Sequence, residues 1–248
     1  MTTYKGVYFL PNLLTTGALF CGFYAILAAM NSRFEVAAIA VFVAMILDGL
    51  DGRVARMVNA QSAFGAEYDS LSDLVSFGLA PALIIYLWAL IHMKEVSISW
   101  GKLGWMVAFI YVACAAIRLA RFNTQDIDEK KYFIGLPSPT AAAVMVGMVW
   151  VFNDLNIDGE STQILGLVIT LGTALLMVSN IKFRSFKDFN IKNKVPHTAV
   201  VIMALIFALT AIDPPKVLFI TALLYTLSGP LAWLLKRKKS TNDQHTRE

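Results

Sequence analysis

The sequence predicts an all-α membrane protein, a bundle of about eight transmembrane helices with both termini in the cytoplasm. Its 248 residues are 57% hydrophobic and only 15% charged, with a mean hydropathy of +0.63. A soluble domain carries about 25% charged residues, so this composition excludes an ordinary water-soluble globule. The remaining evidence is a series of apolar runs, each near the roughly 20 residues that a membrane-spanning helix needs.

The apolar runs follow one another along the chain with short polar connections. The first, Val7–Met30, follows Lys5 as a signal peptide would, but no small-residue cleavage pattern comes after it, so it is read as a retained helix. The second and third carry several acids, and the later runs carry charges only near their ends. The predicted spans are Val7–Met30, Phe34–Arg56, Asp69–Met93, Trp105–Arg121, Ile134–Phe152, Thr162–Val178, Pro196–Ile212 and Pro215–Leu235. They form one predicted domain, residues 1–235, followed by a basic cytoplasmic tail at residues 236–248.

The distribution of Lys and Arg predicts the orientation, because cytoplasmic loops of membrane proteins are enriched in both. With the N-terminus inside, the outer side receives only four of the 21 basic residues, Arg33, Lys94, Lys102 and Lys216. We therefore expect the protein to lie in the inner membrane, with both termini in the cytoplasm. The net charge of +4 is small and the basic residues form short clusters. Membrane lipids are accordingly expected partners, and nucleic acid is not.

Neither cysteine nor histidine chemistry is predicted. Cys21 and Cys114 lie far apart inside apolar runs and are expected to be buried without a disulfide. The histidines, His92, His197 and His245, lie at span ends or in the tail, away from the acids.

The acids of the second and third spans are unusual, because a charge in mid-membrane costs about 2.5–3.5 kcal/mol. Asp48 and Asp51 are three residues apart and share one helix face, while Asp69 and Asp73, four apart, share a face of the next helix. The two pairs are expected to meet across a cytoplasmic cleft, where they would repel unless a cation neutralised them. Oxygen ligands without His or Cys favour Mg²⁺, Mn²⁺ or Ca²⁺ over zinc. Four carboxylates suffice for two ions, as in phosphoryl transfer, for which Mg²⁺ or Mn²⁺ is the expected cofactor.

Small residues accompany these acids. Gly52, Ala55 and Gly65 leave the backbone open to a ligand, and Arg56 is placed to receive phosphate oxygens. The alternative is that the acids form only interfacial salt bridges with Arg53 and Arg56. Four acids at these spacings, flanked by Gly and Ala, favour a binding site.

The segment Asp48–Asp73 resembles, without a gap, the signature D-x2-D-G-x2-A-R-x8-G-x3-D-x3-D of the CDP-alcohol phosphotransferases. The resemblance implies a membrane enzyme, usually a homodimer with six core helices, in which a hydroxyl attacks the lipid-bearing phosphorus of a CDP-linked lipid and CMP leaves. It implies that Asp73 takes the proton of that hydroxyl. The metal ligands that it implies are Asp48, Asp51, Asp69 and Asp73. The nucleotide-binding positions that it implies are Gly52, Ala55, Arg56 and Gly65.

Two further stretches, Ile117–Asn123 and Gly135–Thr140, resemble those of the phosphatidylserine synthases of this family. They imply L-serine as the acceptor and CDP-diacylglycerol as the donor. A guanidinium suits the serine carboxylate, so Arg118 or Arg121 is expected to bind it, although both are also placed as basic membrane anchors. Ser138 is a further acceptor-binding candidate, or it serves only the start of a helix.

Asn12 and Thr15, in the first span, lie at the same cytoplasmic depth and are candidate nucleotide ligands or helix caps. Other functions stay open. The same reaction could use glycerol 3-phosphate, inositol phosphate or choline, and Lys130 and Lys131 add the positive charge that a phosphorylated acceptor needs. A membrane prenyltransferase also pairs Asp-rich helices with Mg²⁺ and pyrophosphate. An ion or proton transporter would spread its acids through the bilayer, whereas these cluster at one end.

Overall fold

The computed structural model describes residues 9–58, 60–124, 132–184 and 208–245. A π-helical turn, Leu74–Leu79, lies within the third helical segment, and 3₁₀ turns lie at Leu90–His92 and Glu160–Thr162. Residues 208–212 are also helical. The remaining helices are α1 (Phe9–Met30), α2 (Phe34–Met57), α3 (Ala63–Asp73), α4 (Ala80–Trp88), α5 (Met93–Val96), α6 (Ile98–Thr124), α7 (Ser138–Asp154), α8 (Gln163–Val178) and α9 (Pro214–His245).

Within these described residues, five helical segments are long and apolar enough to cross a membrane: Phe9–Met30, Ala63–Trp88, Ile98–Thr124, Glu160–Val178 and Pro214–Leu235. Helix α2 has the length, at 24 residues, but its second half carries the acids and arginines of the motif. Helix α7 has 17 residues. Most of the predicted span Pro196–Ile212 lies outside the described residues. The all-α membrane fold is confirmed, while eight spans and cytoplasmic termini stay predictions.

Among the residues that the structure describes, a small antiparallel ladder accompanies the helices, a feature that the sequence did not predict. Strand β1 (Tyr132–Ile134) pairs with β2 (Lys182–Arg184), with Phe133 opposite Phe183. Gly135 follows with a φ of +82°, in the left-handed region that favours glycine, and its N–H donates to the Ile181 carbonyl at 2.9 Å. The predicted span that starts at Ile134 therefore becomes helical only at Ser138.

Helix α7 lies in the middle of the bundle. It is apolar on all sides, and its residues from Ala141 to Val149 are buried against α2, α4, α8 and α9. Both cysteines are free thiols, as expected, but only Cys114 is buried, whereas Cys21 is half-buried. The backbone of α9 stays helical to His245, beyond the point where the sequence predicted a tail.

Helix α1 packs closely on α3 and the π-helical turn, which fixes the depth of the motif. Ser72 donates from its hydroxyl to the Thr15 carbonyl at 3.2 Å, and Ser76 donates to the Ala18 carbonyl at 3.0 Å. A Cβ on Gly22 would lie 2.5 Å from the Ser76 Oγ, so only glycine permits this approach. These contacts hold α3 and the π-helical turn against α1.

The π-helical turn that follows Asp73 ends just before a proline. Pro81 has no N–H, so it cannot donate to the carbonyl four residues earlier, that of Phe77. The hydroxyl of buried Tyr111, on α6, donates to this carbonyl instead, at 2.9 Å. The predicted span Asp69–Met93 is therefore not one regular helix. It starts earlier, at Ala63, and changes to π-helical geometry directly after Asp73.

We expect Tyr111→Phe to lower the free energy of unfolding by about 1–3 kcal/mol, because the Phe77 carbonyl would be left buried without a donor. The measurement is thermal unfolding in detergent. Tyr24→Phe, which alters an exposed tyrosine on α1, is the matched control. Equal unfolding temperatures for the two variants would contradict this role of Tyr111.

Candidate active site

Three of the motif aspartates converge where α2 faces α3. Asp48, Asp69 and Asp73, called the acidic triad below, each offer a carboxylate oxygen, and these oxygens lie within 4.8 Å of one another. Asp48 comes from α2, whereas Asp69 and Asp73 share one face of α3. The structure therefore brings carboxylates of the two helices together, as the spacing predicted.

The triad fits a divalent cation. The Asp69 Oδ1 atom is buried and has no hydrogen-bond partner. A buried polar atom without a partner is costly, and clustered carboxylates repel one another, so a cation would relieve both effects. Carboxylate oxygens are the ligands that Mg²⁺ and Mn²⁺ prefer.

The fourth motif aspartate, Asp51, is placed differently. Its Oδ2 accepts a hydrogen bond of 2.6 Å from the Thr15 hydroxyl of α1, and only 5% of the residue is exposed. A separation of three residues does not bring it into the triad, because its carboxylate turns towards α1. Asp51 instead lies in the wall of a neighbouring cavity, together with Asp69 of the triad.

This cavity, of about 370 Å³, lies between α1, the end of α2 and the start of α3. Asp69 belongs to the acidic triad and also lines the cavity, so a ligand bound in the cavity would lie next to the triad. Every residue that the sequence predicted for nucleotide binding lines this one cavity. These residues are Asn12, Thr15, Gly52, Ala55, Arg56 and Gly65.

The turn into α3 shapes the far side of the cavity. Ser62 has an extended backbone and caps the helix, because its hydroxyl accepts a hydrogen bond of 3.0 Å from the Gly65 N–H. A Cβ on Gly65 would lie 3.9 Å from the Asn12 Oδ1, so α3 starts directly against α1. Ser62 was missed in the sequence, although a serine before a helix is a recognisable cap signal.

Arg118 is the arginine beside the triad. Its Nη1 donates to the Ser138 hydroxyl at 2.6 Å, and Ser138 is fully buried at the start of α7. The guanidinium is close enough to interact electrostatically with Asp73 and Asp48. The arginine and serine that the sequence proposed for the acceptor are thus in direct contact.

Arg121, one turn further along α6, has a different partner. Its Nη2 donates to the Asn180 side-chain oxygen at 3.0 Å. Asn123 donates from its side chain to the Ser70 hydroxyl, also at 3.0 Å, next to Asp69. Asn180 was missed in the sequence, since a residue in a connection after α8 carries no local signal of a partner on α6.

A second cluster of possible metal ligands lies at the opposite end of α1. His92, Glu95 and Glu160 place donor atoms within 4.8 Å of one another, beside a cavity of about 700 Å³ that Met30 lines. Both glutamates are exposed, and the His92 Nδ1 already contacts the Glu95 Oε1 at 3.3 Å. His92 is thus far from the motif, as expected.

Gly52→Val tests the cavity. A Cβ at Gly52 would meet no protein atom within 4 Å, so we expect the added methyl groups to occupy the cavity without disturbing the fold. We expect the KM for the ligand that binds in this cavity to rise about tenfold and the unfolding temperature to stay at its wild-type value. Gly49→Val is the matched control, since Gly49 lies on the same helix, has equal space and does not line the cavity. A similar KM change in both variants would contradict the assignment.

Comparisons with known proteins cover most of the chain. The family model described as CDP-alcohol phosphatidyltransferase matches residues 8–179. A CDP-diacylglycerol–serine O-phosphatidyltransferase of Helicobacter pylori is 37% identical over 231 residues, covering 92% of this chain and 92% of that protein. Enzymes of the same name from Mycobacterium bovis and Bacillus subtilis are 31% and 35% identical, over 95% and 75% of this chain and 83% and 95% of their own lengths.

Proposed function

The chain belongs to the CDP-alcohol phosphatidyltransferase family, and we propose that it transfers the phosphatidyl group of CDP-diacylglycerol to the hydroxyl of L-serine, giving phosphatidylserine and CMP. The choice of serine is carried by one observation, the end-to-end similarity to relatives that are named for this acceptor. The position of Arg118 beside the acidic triad supports the same choice.

The cavity would hold the CDP end of the lipid substrate. Gly52 and Ala55 leave room for the nucleotide against α2, while Thr15 and Asn12 offer polar atoms from α1. Arg56, at the exposed end, would pair with phosphate oxygens. The lipid-bearing phosphorus would then lie beside Asp69, next to the triad.

The triad and Asp51 would hold Mg²⁺ or Mn²⁺, with enough oxygen donors for two ions. Bound metal neutralises the charge of the pyrophosphate and of the departing CMP. On this proposal all four motif aspartates are ligands, although Asp51 also accepts the Thr15 hydrogen bond.

Asp73 would act as the general base. It would take the proton from the serine hydroxyl as the serine oxygen forms a bond to the lipid-bearing phosphorus. The bond from that phosphorus to the CMP oxygen breaks, and CMP carries away the electron pair. Asp73 suits this role because it lies close enough to interact electrostatically with Arg118, which would hold the serine.

Arg118 would bind the serine carboxylate. A guanidinium held by the buried Ser138 presents further N–H donors towards a carboxylate, and its position brings the bound serine next to Asp73. Arg121 is the weaker candidate, since Asn180 already accepts from it.

The protein is an integral membrane enzyme. We infer that it lies in the inner membrane with the active site facing the cytoplasm, which the distribution of Lys and Arg supports. A homodimer is the expected assembly, in line with the family resemblance of the motif.

The test is CMP release by the purified enzyme in detergent with CDP-diacylglycerol and Mn²⁺ or Mg²⁺. L-serine, glycerol 3-phosphate, inositol phosphate and choline are added separately, and we expect release with serine alone. Release with another alcohol would keep the reaction and overturn the acceptor. No release with any alcohol, from folded protein that consumes an isoprenoid diphosphate, would overturn the reaction in favour of a prenyltransferase.

A further inference from the structure

Helix α9 lies beyond residues 8–179, the part that the family model matches, yet it packs along α7. A Cβ on Gly147 would lie 3.2 Å from the backbone of Phe219, so the two helices are in close contact there. Ala222 continues this contact against Ala143 and Val144 of α7. The two helices are therefore antiparallel neighbours along this stretch.

The helical rise places Tyr225 near the level of Ser138. The contact between Gly147 and Phe219 serves as the reference point. Ser138 lies nine residues from Gly147 along α7, and Tyr225 lies six residues from Phe219 along α9. At 1.5 Å per residue these distances are about 13 Å and 9 Å towards the same end of the bundle. The difference, about 4 Å, is shorter than a tyrosine side chain.

Contacts with β2 agree with this position of Tyr225 along the bundle and hold its ring in place. The Phe183 ring, which is 1% exposed, lies 5.8 Å from the Tyr225 ring, centroid to centroid, and contacts Gly229 one turn further on. Tyr225 is thus held between α7 and the ladder of β1 and β2. Its hydroxyl and the Arg118 guanidinium are close enough to interact electrostatically.

We propose that Tyr225 is a positioning residue for Arg118, so that α9 completes the acceptor end of the active site. A guanidinium has five N–H donors, more than the Ser138 hydroxyl can accept. A second oxygen, from a ring that Phe183 and Gly229 hold, would fix the guanidinium plane and leave its other edge for the acceptor carboxylate. The proposal rests on the proposed function, in which Arg118 binds that carboxylate.

The experiment compares the KM for acceptor with the KM for CDP-diacylglycerol. Tyr225→Phe keeps the ring contact with Phe183 and removes only the hydroxyl. We expect it to raise the KM for serine about 3- to 10-fold, while the KM for CDP-diacylglycerol and the unfolding temperature stay at wild-type values. Tyr24→Phe, the same change on the exposed face of α1, should alter none of these quantities.

A double-mutant cycle separates positioning from packing. If Tyr225 acts through Arg118, the effect of Tyr225→Phe should vanish when Arg118→Lys is already present. Additive effects, an unchanged KM for serine, or a parallel rise in both KM values with a lower unfolding temperature would overturn the proposal. The wild type is assayed first with all four alcohols. If it prefers an acceptor other than serine, the proposed function is wrong in its acceptor, and the Tyr225 proposal is judged on the KM for the preferred alcohol.

Discussion

Asp73→Asn is expected to reduce turnover by about 100- to 10,000-fold, the range that loss of a general base produces. Asparagine has nearly the same shape, so the packing of α3 should persist, but it cannot take the proton of the acceptor hydroxyl. Binding of the CDP-lipid should remain largely intact, because the cavity residues and the other three aspartates are unchanged and the asparagine side-chain oxygen can still contact a metal ion. Single-turnover CMP release measures the first effect, and equilibrium binding of CDP-diacylglycerol measures the second.

Glu67→Gln is the control for this variant. Glu67 lies on the same helix as Asp73, is exposed, and belongs neither to the triad nor to the cavity wall. The substitution Glu67→Gln also removes one negative charge. Near-normal turnover in this variant would therefore show that loss of charge alone does not explain the effect of Asp73→Asn. Near-normal turnover in Asp73→Asn would remove Asp73 from the base role.

Asp69→Ala should lower the affinity for Mn²⁺ by at least about 100-fold, since even partners that only support a metal ligand contribute 10- to 100-fold. Asp69 carries the buried oxygen that has no protein partner, and it lines the cavity as well. We therefore expect metal-dependent binding of CDP-diacylglycerol to be lost with it. Electron paramagnetic resonance of free Mn²⁺ gives the affinity, and lipid binding with and without chelator gives the coupling.

His92→Ala is the comparison here, because His92 belongs to the second cluster of possible ligands, at the other end of α1. It should leave both Mn²⁺ affinity and chelator sensitivity unchanged. If Mn²⁺ binding fell with His92→Ala and held with Asp69→Ala, the metal would lie at the wrong end of the bundle for the proposed reaction.

The motif was the part of the site that the sequence predicted best. Spacings of three and four residues determine which side chains share a helix face, so the gathering of Asp48 with Asp69 and Asp73 followed from the sequence. Gly52, Ala55, Arg56 and Gly65 were predicted by resemblance, and Asn12 and Thr15 from their depth in the first span. All six line one cavity. The acids and four of the cavity residues belong to one segment of 26 residues with a short turn, whereas Asn12 and Thr15 come from α1.

Contacts between distant segments were the part that could not be predicted. Asp51 contacts Thr15, 36 residues earlier, and Arg121 contacts Asn180, 59 residues later. The ladder of β1 with β2 likewise depends on two connections that meet only after the helices have packed. The π-helical turn is an intermediate case, because Pro81 signals the missing hydrogen bond but not the Tyr111 hydroxyl that replaces it.

By itself, the sequence determined that this chain is a membrane helix bundle with a metal-suited acidic motif, because hydropathy and helical periodicity are local properties of the chain. The tertiary structure alone decided that Arg118 rather than Arg121 lies beside the triad, and that Tyr225 of α9 comes close to it. These arrangements depend on how helices far apart in sequence rotate and pack against α7. Packing of this kind is set by the close fit of many side chains together, and no local pattern encodes it.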